Sequence, residues 1–419
     1  MVADVGARIR SLRTARGMTQ AQLAEPNYTK AYISMLESGR TRASMKALEH
    51  IAGALGVQPS DLLGGQAAPD APHYDLREAR RIIEQAKWSE ATAILERLEE
   101  GFAPADQLVR LRYLAVAYNG AGRPKQAFPV IERAQKMADL LGDKAEQVRI
   151  MSVLAHAYLR TYAYDEGVKL LRECVAACDE GVLNDPPFLF RRLVDLGSAY
   201  GATKQPKLAL ATFERAMQIG EQFALRRSLG AVYAGMADSY RQIGDLELAI
   251  RYNQRSLDIY EELGLLDRVA CMLDTAALLY AEYGNRERAR ECLARAAVLA
   301  EQTQSDSTLA TIQVSQAEVQ AKTDPEQALE AAQAALKFAR KVDNVEAQVR
   351  ALVIVGELKL GSAPATARRS FGDARALAEE RAPHLRRLIY DRWSHAAEAA
   401  GDGEEALRLA RRALDAITV

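Results

Sequence analysis

Two rhythms of apolar and polar residues run along this chain and divide it in two. In the first 65 positions apolar residues recur at helical spacing in short bursts. Val5, Ile9 and Leu12 form one stripe, with Arg8, Arg10, Arg13 and Arg16 on the other faces. Gly17 stops that helix, and Thr19 is placed to cap the next, which carries Leu23 and Ala24. A tight polar break, EPNY, leads into a helix with Ile33 and Leu36 inward and Lys30, Ala31, Ser34 and Met35 outward. Ser44 is placed to cap a fourth helix bearing Leu48, Ile51, Ala52 and Leu55, which Gly56 ends. Pro59–Leu63 reads as a fifth short helix with a proline start.

Residues 66–74, QAAPDAPHY, have no periodicity and read as a linker. From 75 to 419 the rhythm lengthens. Tyr118, Tyr158, Tyr200, Tyr240 and Tyr280 recur every 40–42 positions. Three residues before each lies a small residue: Ala115, Ala155, Gly197, Ala237, Ala277. Nine after each lies another, Ala127, Gly167, Ala209, Ala249 or Ala289, and seven further on Ala134, Cys174, Ala216, Ser256 or Ala296. The second and third positions continue outward as Ala91, Ala328 with Ala335, Ala367 with Ala374, and Ala406 with Ala413. Small residues at such spacing let paired helices cross closely, and about nine helical hairpins are expected over 75–419. The chain is therefore all-α, with an expected domain at 1–65, a linker at 66–74 and a repeat domain at 75–419.

Residues 19–40 have the outline of a helix-turn-helix, whose second helix enters the DNA major groove. Residues 5–64, through RIRSLRTARGMTQAQLAE, TKAYISMLESGRTRAS and MKALEHIAGALGV, resemble the Cro/cI-repressor (Xre-type) helix-turn-helix family. The resemblance implies a five-helix, lambda-repressor-like domain that binds a double-stranded operator. It implies base-edge contacts from Lys30, Ala31, Ser34 and Met35, and phosphate contacts from Gln20, Arg40 and Arg42. Thr29 is placed to cap the reading helix, with its free amides toward phosphate. The resemblance also implies a structural ion pair between Arg13 and Glu37. Many family members have one more residue in the turn that EPNY makes here, and the shortened turn is similar to that of the PlcR/Rgg (RRNPP) peptide-sensing regulators. The repeats from 75 onward resemble the tetratricopeptide (TPR) repeat, two antiparallel helices per unit.

Charge follows the same division. Residues 1–65 hold eight Lys/Arg against five Asp/Glu, a net of +3, while the whole chain is −1. A mildly basic head on an acidic body suits a DNA reader, and so small an excess points to two heads on two half-sites, a homodimer. The repeat array should curve around a groove lined by the first helix of each hairpin. Phase places Arg112, Asn119, Arg149, Ser152, His156, Arg191, Ser198, Asp238, Arg241 and Asp274 on that face. Asn and Arg there can grip a peptide backbone and its carboxylates. Resemblance to the peptide-sensing group implies a short peptide as effector. The rival expectation is a DNA-tethered scaffold whose groove holds a protein partner.

Catalytic motifs are missing: there is no GxxxxGK[ST] loop, GxSxG elbow or HExxH pair, and the five His show no ligand spacing. Neither enzyme activity, cofactor nor metal is expected. Cys174 and Cys178 stand one helical turn apart, and with Cys271 and Cys292 they read as packing residues. Four cysteines without a signal peptide, and no apolar run near 18 residues, lead to the expectation of a cytoplasmic chain away from any membrane.

Overall fold

The computed structural model describes residues 3–55 apart from 26, 40 and 42, then 71–98, and 102–416 apart from 224. Every regular element among them is helical. The chain divides into two compact units, 1–143 and 144–419.

Among the described residues four helices make the head: α1 (Ala3–Ala15), α2 (Gln20–Ala24), α3 (Lys30–Glu37) and α4 (Met45–Leu55). The expected fifth helix, Pro59–Leu63, lies outside the described residues. The starts of α2, α3 and α4 are each explained by a side chain that satisfies an orphan amide. Thr19 accepts from the amide of Gln22 while the Gln22 side chain accepts from the amide of Thr19, a complete capping box. Thr29 accepts from the amide of Tyr32, and Ser44 from that of Ala47. The inward stripes meet in one core of Ile9, Leu23, Ala24, Ile33, Leu36, Leu48, Ile51, Ala52 and Leu55. Each large member contributes about 1.5–3 kcal/mol by leaving water. Gly6 lets α1 cross α3 at backbone distance: a Cβ there would stand 2.2 Å from the carbonyl oxygen of Leu36.

Beyond the head, the structure shortens the expected linker. A helix spans Ala71–Glu84, so residues 71–74 are helical, and 66–70 lie outside the described residues. The proline that suggested a break, Pro72, sits in the first turn, where a missing N–H removes no helical bond.

Among the described residues the later helices pair into nine hairpins: 71–97, 104–141, 144–179, 186–222, 226–262, 266–302, 306–341, 345–381 and 386–415. The first two belong to the first unit and seven to the second. The small residues that set the period are nearly all fully buried, from Ala91 and Ala115 to Ala367 and Ala374. They mark helix crossings where a larger side chain has no room. Phe213 fills one such crossing. A Cβ on Gly197 or on Gly235 would lie 2.7 Å or less from its ring. Hairpins 226–262, 266–302, 306–341 and 345–381 are laced at their starts or turns by Asp245, Asn285, Ser305, Asp324 and Asn344, each accepting from an amide three residues on.

Candidate functional site

The head presents one helix and braces it from behind. On α3, Ile33 and Leu36 enter the core, while Lys30, Ala31, Ser34 and Met35 are exposed, Met35 at 43%. Thr29 caps the same helix, so its first amides point outward. Tyr28 stacks on Tyr32 with ring centroids 5.0 Å apart and packs against His50, so the short turn is wedged between α3 and α4.

Behind α3, Arg13 forms a bidentate pair with Glu37, Nε to Oε1 at 2.6 Å and Nη2 to Oε2 at 3.0 Å. Arg13 also donates to the carbonyl of Met18 at 2.7 Å. Gln20 donates its amide to Glu37 at 2.8 Å. Gln20, expected to reach a phosphate, closes this internal network in the structure, because Glu37 at the end of α3 lies within its reach. Burial raises the Glu37 carboxyl, but the bonds from Arg13 and Gln20 outweigh it and hold it below the usual carboxylate range. The effect is to tie α1, the start of α2 and the end of α3 together. Arg40 and Arg42 lie outside the described residues.

The expected groove residues are less available than their phase suggests. Asn119, Ser152 and Asp274 are buried. Ser152 donates to the carbonyl of Arg149, and Arg149 pairs with Glu146 at 2.9 Å. Asp274 is 7% exposed, with Oδ1 lacking a hydrogen-bond partner. Burial pushes its carboxyl up to about 6, partly offset by the Ser315 hydroxyl. Arg112 lies over the ring of Tyr113, 4.7 Å from its centroid. Arg191 and Ser198 are exposed, and Ser198 donates to the carbonyl of Val194. Asp238 is exposed and accepts from Gln242 at 2.7 Å. The rest are joined from one repeat to the next. His156 Nε2 is 3.0 Å from Asp195, and Arg192 reaches the same carboxylate at 2.7 Å. Burial raises Asp195, yet the contacts from His156 and Arg192 hold it below its ordinary value. Arg241 Nε donates to both oxygens of Glu282 at 3.0 and 3.1 Å. Further along, Glu318 accepts from Arg350 at 2.9 Å and from Arg392 at 3.1 Å, and Arg392 also grips Glu357. Asp195, Glu282, Glu318 and Glu357 were missed from sequence. The available signal was an opposite charge 32–41 positions away, roughly one repeat period.

All four cysteines are free thiols. Cys174 is fully buried, donates weakly to the carbonyl of Val148, and is pushed up to about 12 by burial. Among the described residues no group of three His, Cys, Asp or Glu side chains is placed to hold a metal ion. No helix among them is long and apolar enough to cross a membrane.

A family profile for a helix-turn-helix domain matches residues 4–63. The control protein C.BamHI of Bacillus amyloliquefaciens is 42% identical over 60 residues, 14% of this chain and 74% of that protein. The chain belongs to the Xre-type helix-turn-helix family. The immunity repressor protein of Bacillus phage phi105 is 36% identical to this Xre-type chain over 84 residues, and the chain spans 58% of that repressor's length. A tetratricopeptide repeat profile matches residues 189–262. Among solved structures, the apo form of the quorum sensor NprR from B. thuringiensis shares the fold at 14% identity and a TM-score of 0.57, covering 99% of both chains. A Rap protein complexed with Competence and Sporulation Factor aligns at 13% identity and TM-score 0.60, over 83% of this chain and 98% of that one. The Rap conjugation gene regulator of plasmid pLS20, in complex with the Phr* peptide, aligns at 14% and 0.56, over 83% and 95%.

Proposed function

We propose that this Xre-type chain is a sequence-specific transcriptional regulator that reads DNA with α3 and whose repeat body binds a short peptide effector and pairs two chains. The observation that carries the reading is the exposed row Lys30, Ala31, Ser34 and Met35 on a helix locked from behind by Ile33, Leu36 and the Arg13–Glu37–Gln20 network. Lys30 can donate to guanine acceptors, Ser34 to either kind of base, and Ala31 or Met35 offers apolar contact to a thymine methyl. A head of net +3 makes few phosphate contacts, so two heads on half-sites one DNA turn apart suit it better than one. Two of the fold neighbours are complexes, one with the Phr* peptide and one with Competence and Sporulation Factor, and the first supports a peptide as the effector here. Binding of such an effector favours one superhelical pitch over another and so resets the spacing of the two heads.

The test is selection of bound oligonucleotides from a random pool by the full chain. Lys30→Ala should weaken binding to the selected site by roughly 5- to 100-fold, with the helical circular dichroism unchanged because Lys30 is exposed. Equal affinity of Lys30→Ala and Arg40→Ala for the selected site would remove the head assignment. The peptide fraction of culture medium, added to the protein–DNA complex, should shift that affinity; an unchanged affinity would remove the effector assignment while leaving the DNA reading standing.

A further inference from the structure

Seven of the nine hairpins share a feature at the turn between their two helices: one residue there takes a left-handed conformation. Gly122, Gly244, Gly284 and Gly401 occupy it in four hairpins, and Ala86 and Lys204 in two more. In the hairpin 144–179 the residue is Tyr162, at φ 63°. A bulky aromatic is disfavoured there because its Cβ crowds the following carbonyl. Such strain persists where surrounding contacts hold it.

The contact that holds Tyr162 comes from the far end of the same unit. Its ring stacks on His384, with centroids 4.0 Å apart and planes inclined by 26°. His384 sits in the 3-10 turn Pro383–Leu385, the irregular step between the eighth and ninth hairpins. Tyr164 packs edge-on against Tyr162 at 6.3 Å. Glu346, at the start of the helix Val345–Lys359, exerts its charge on both Tyr164 and His384. Thus the helix–helix turn of one hairpin meets the entry to two hairpins that lie five and six repeats later.

We infer that Tyr162 and His384 form a latch that fastens the beginning of the second unit's superhelix to its end, with an open state in which this stack is broken. The latch is weak by construction. Tyr162 remains 41% exposed, so the stack removes little apolar surface from water, and the left-handed backbone offsets part of what stacking contributes. A contact so balanced leaves closed and open forms close in free energy, and a change of pitch needs only this joint to part. The inference goes beyond the DNA-reading proposal and does not depend on it.

Hydrogen exchange of the full chain, read by mass spectrometry, tests the latch through Tyr162→Gly, Tyr162→Phe and His384→Ala. Glycine suits the left-handed turn, so Tyr162→Gly deletes the ring while relieving the strain, and the hairpin 144–179 should stay folded. Amides of residues 384–389 and 345–349 should then exchange roughly two- to tenfold faster, across more than 180 intervening residues. Tyr162→Phe keeps the stack and should match the parent, and His384→Ala should speed exchange at 161–166. If Tyr162→Gly changes exchange only around 158–166, the residue acts within its own turn and the latch is overturned. If Tyr162→Phe behaves like Tyr162→Gly, ring stacking is not what holds the joint, and the inference fails equally.

Discussion

Asp274→Asn is a perturbation whose size and pH dependence both follow from the structure. Burial pushes the Asp274 carboxyl from 3.8 up to about 6, and its Oδ1 has no hydrogen-bond partner. The folded chain therefore keeps this proton up to about pH 6, while the unfolded chain releases it near pH 4. Folding is penalised as pH rises through that window, and the penalty is complete above it. A shift of about two units at ~1.36 kcal/mol each gives about 3 kcal/mol at pH 7.5 and less than about 1 kcal/mol at pH 4. Asparagine keeps the shape and carries no charge, so Asp274→Asn should stabilise the repeats around 266–320 by that amount at pH 7.5 and hardly at all at pH 4. Urea unfolding followed by circular dichroism at both pH values reads the difference, and hydrogen exchange locates it. An equal gain at the two pH values, or a loss at pH 7.5, would refute the account of a buried, under-paired carboxyl.

The remaining predictions concern packing. Gly6→Ala puts a methyl 2.2 Å from the Leu36 carbonyl oxygen and should destabilise the head by about 1–3 kcal/mol, seen as a lower head melting temperature and weaker DNA binding. Glu37→Ala strands the Arg13 guanidinium and should cost about 3 kcal/mol, whereas Gln20→Ala, which removes one bond to the same carboxylate, should cost about 1.5 kcal/mol; thermal melts of the two variants compare them. Phe213→Ala empties the crossing between Gly197 and Gly235 and should cost about 3–5 kcal/mol, measured by exchange in the hairpin 186–222. Cys174, fully buried and held protonated, should alkylate at pH 8 far more slowly in the folded chain than in urea, where its hairpin is open.

The head and the repeats were legible in sequence because both are written in local patterns. Thr19, Thr29 and Ser44 cap helices where a hydroxyl precedes an apolar stripe, and the 40-residue period of Ala, Gly and Tyr survives because close crossings admit nothing larger. Face assignment on the first helices of the hairpins was less legible. Phase says which way a residue points from its own helix, but not what the next hairpin brings against it. Asp274 is covered, and His156 and Arg241 are bound by Asp195 and Glu282. Gln20 illustrates the same limit in the head, where a carboxylate seventeen positions away claims its amide. Tyr162 could be noticed as an aromatic among turn glycines, but its partner lies 222 positions on, beyond any local reading.

The cross-repeat pairs have a consequence for how this chain would respond to salt. A charged ligand settling on these side chains cannot simply add its contacts, since Arg241, Arg350 and Arg392 already hold carboxylates. It must exchange partners, breaking one pair as it forms another, and the number of ions released to solution stays nearly constant. Occupancy of that surface should therefore vary little with ionic strength, while attachment of the basic head to a phosphate backbone should fall with it, in proportion to the phosphates it contacts. Two binding events on one polypeptide would then be separable with nothing more than a titration of potassium chloride.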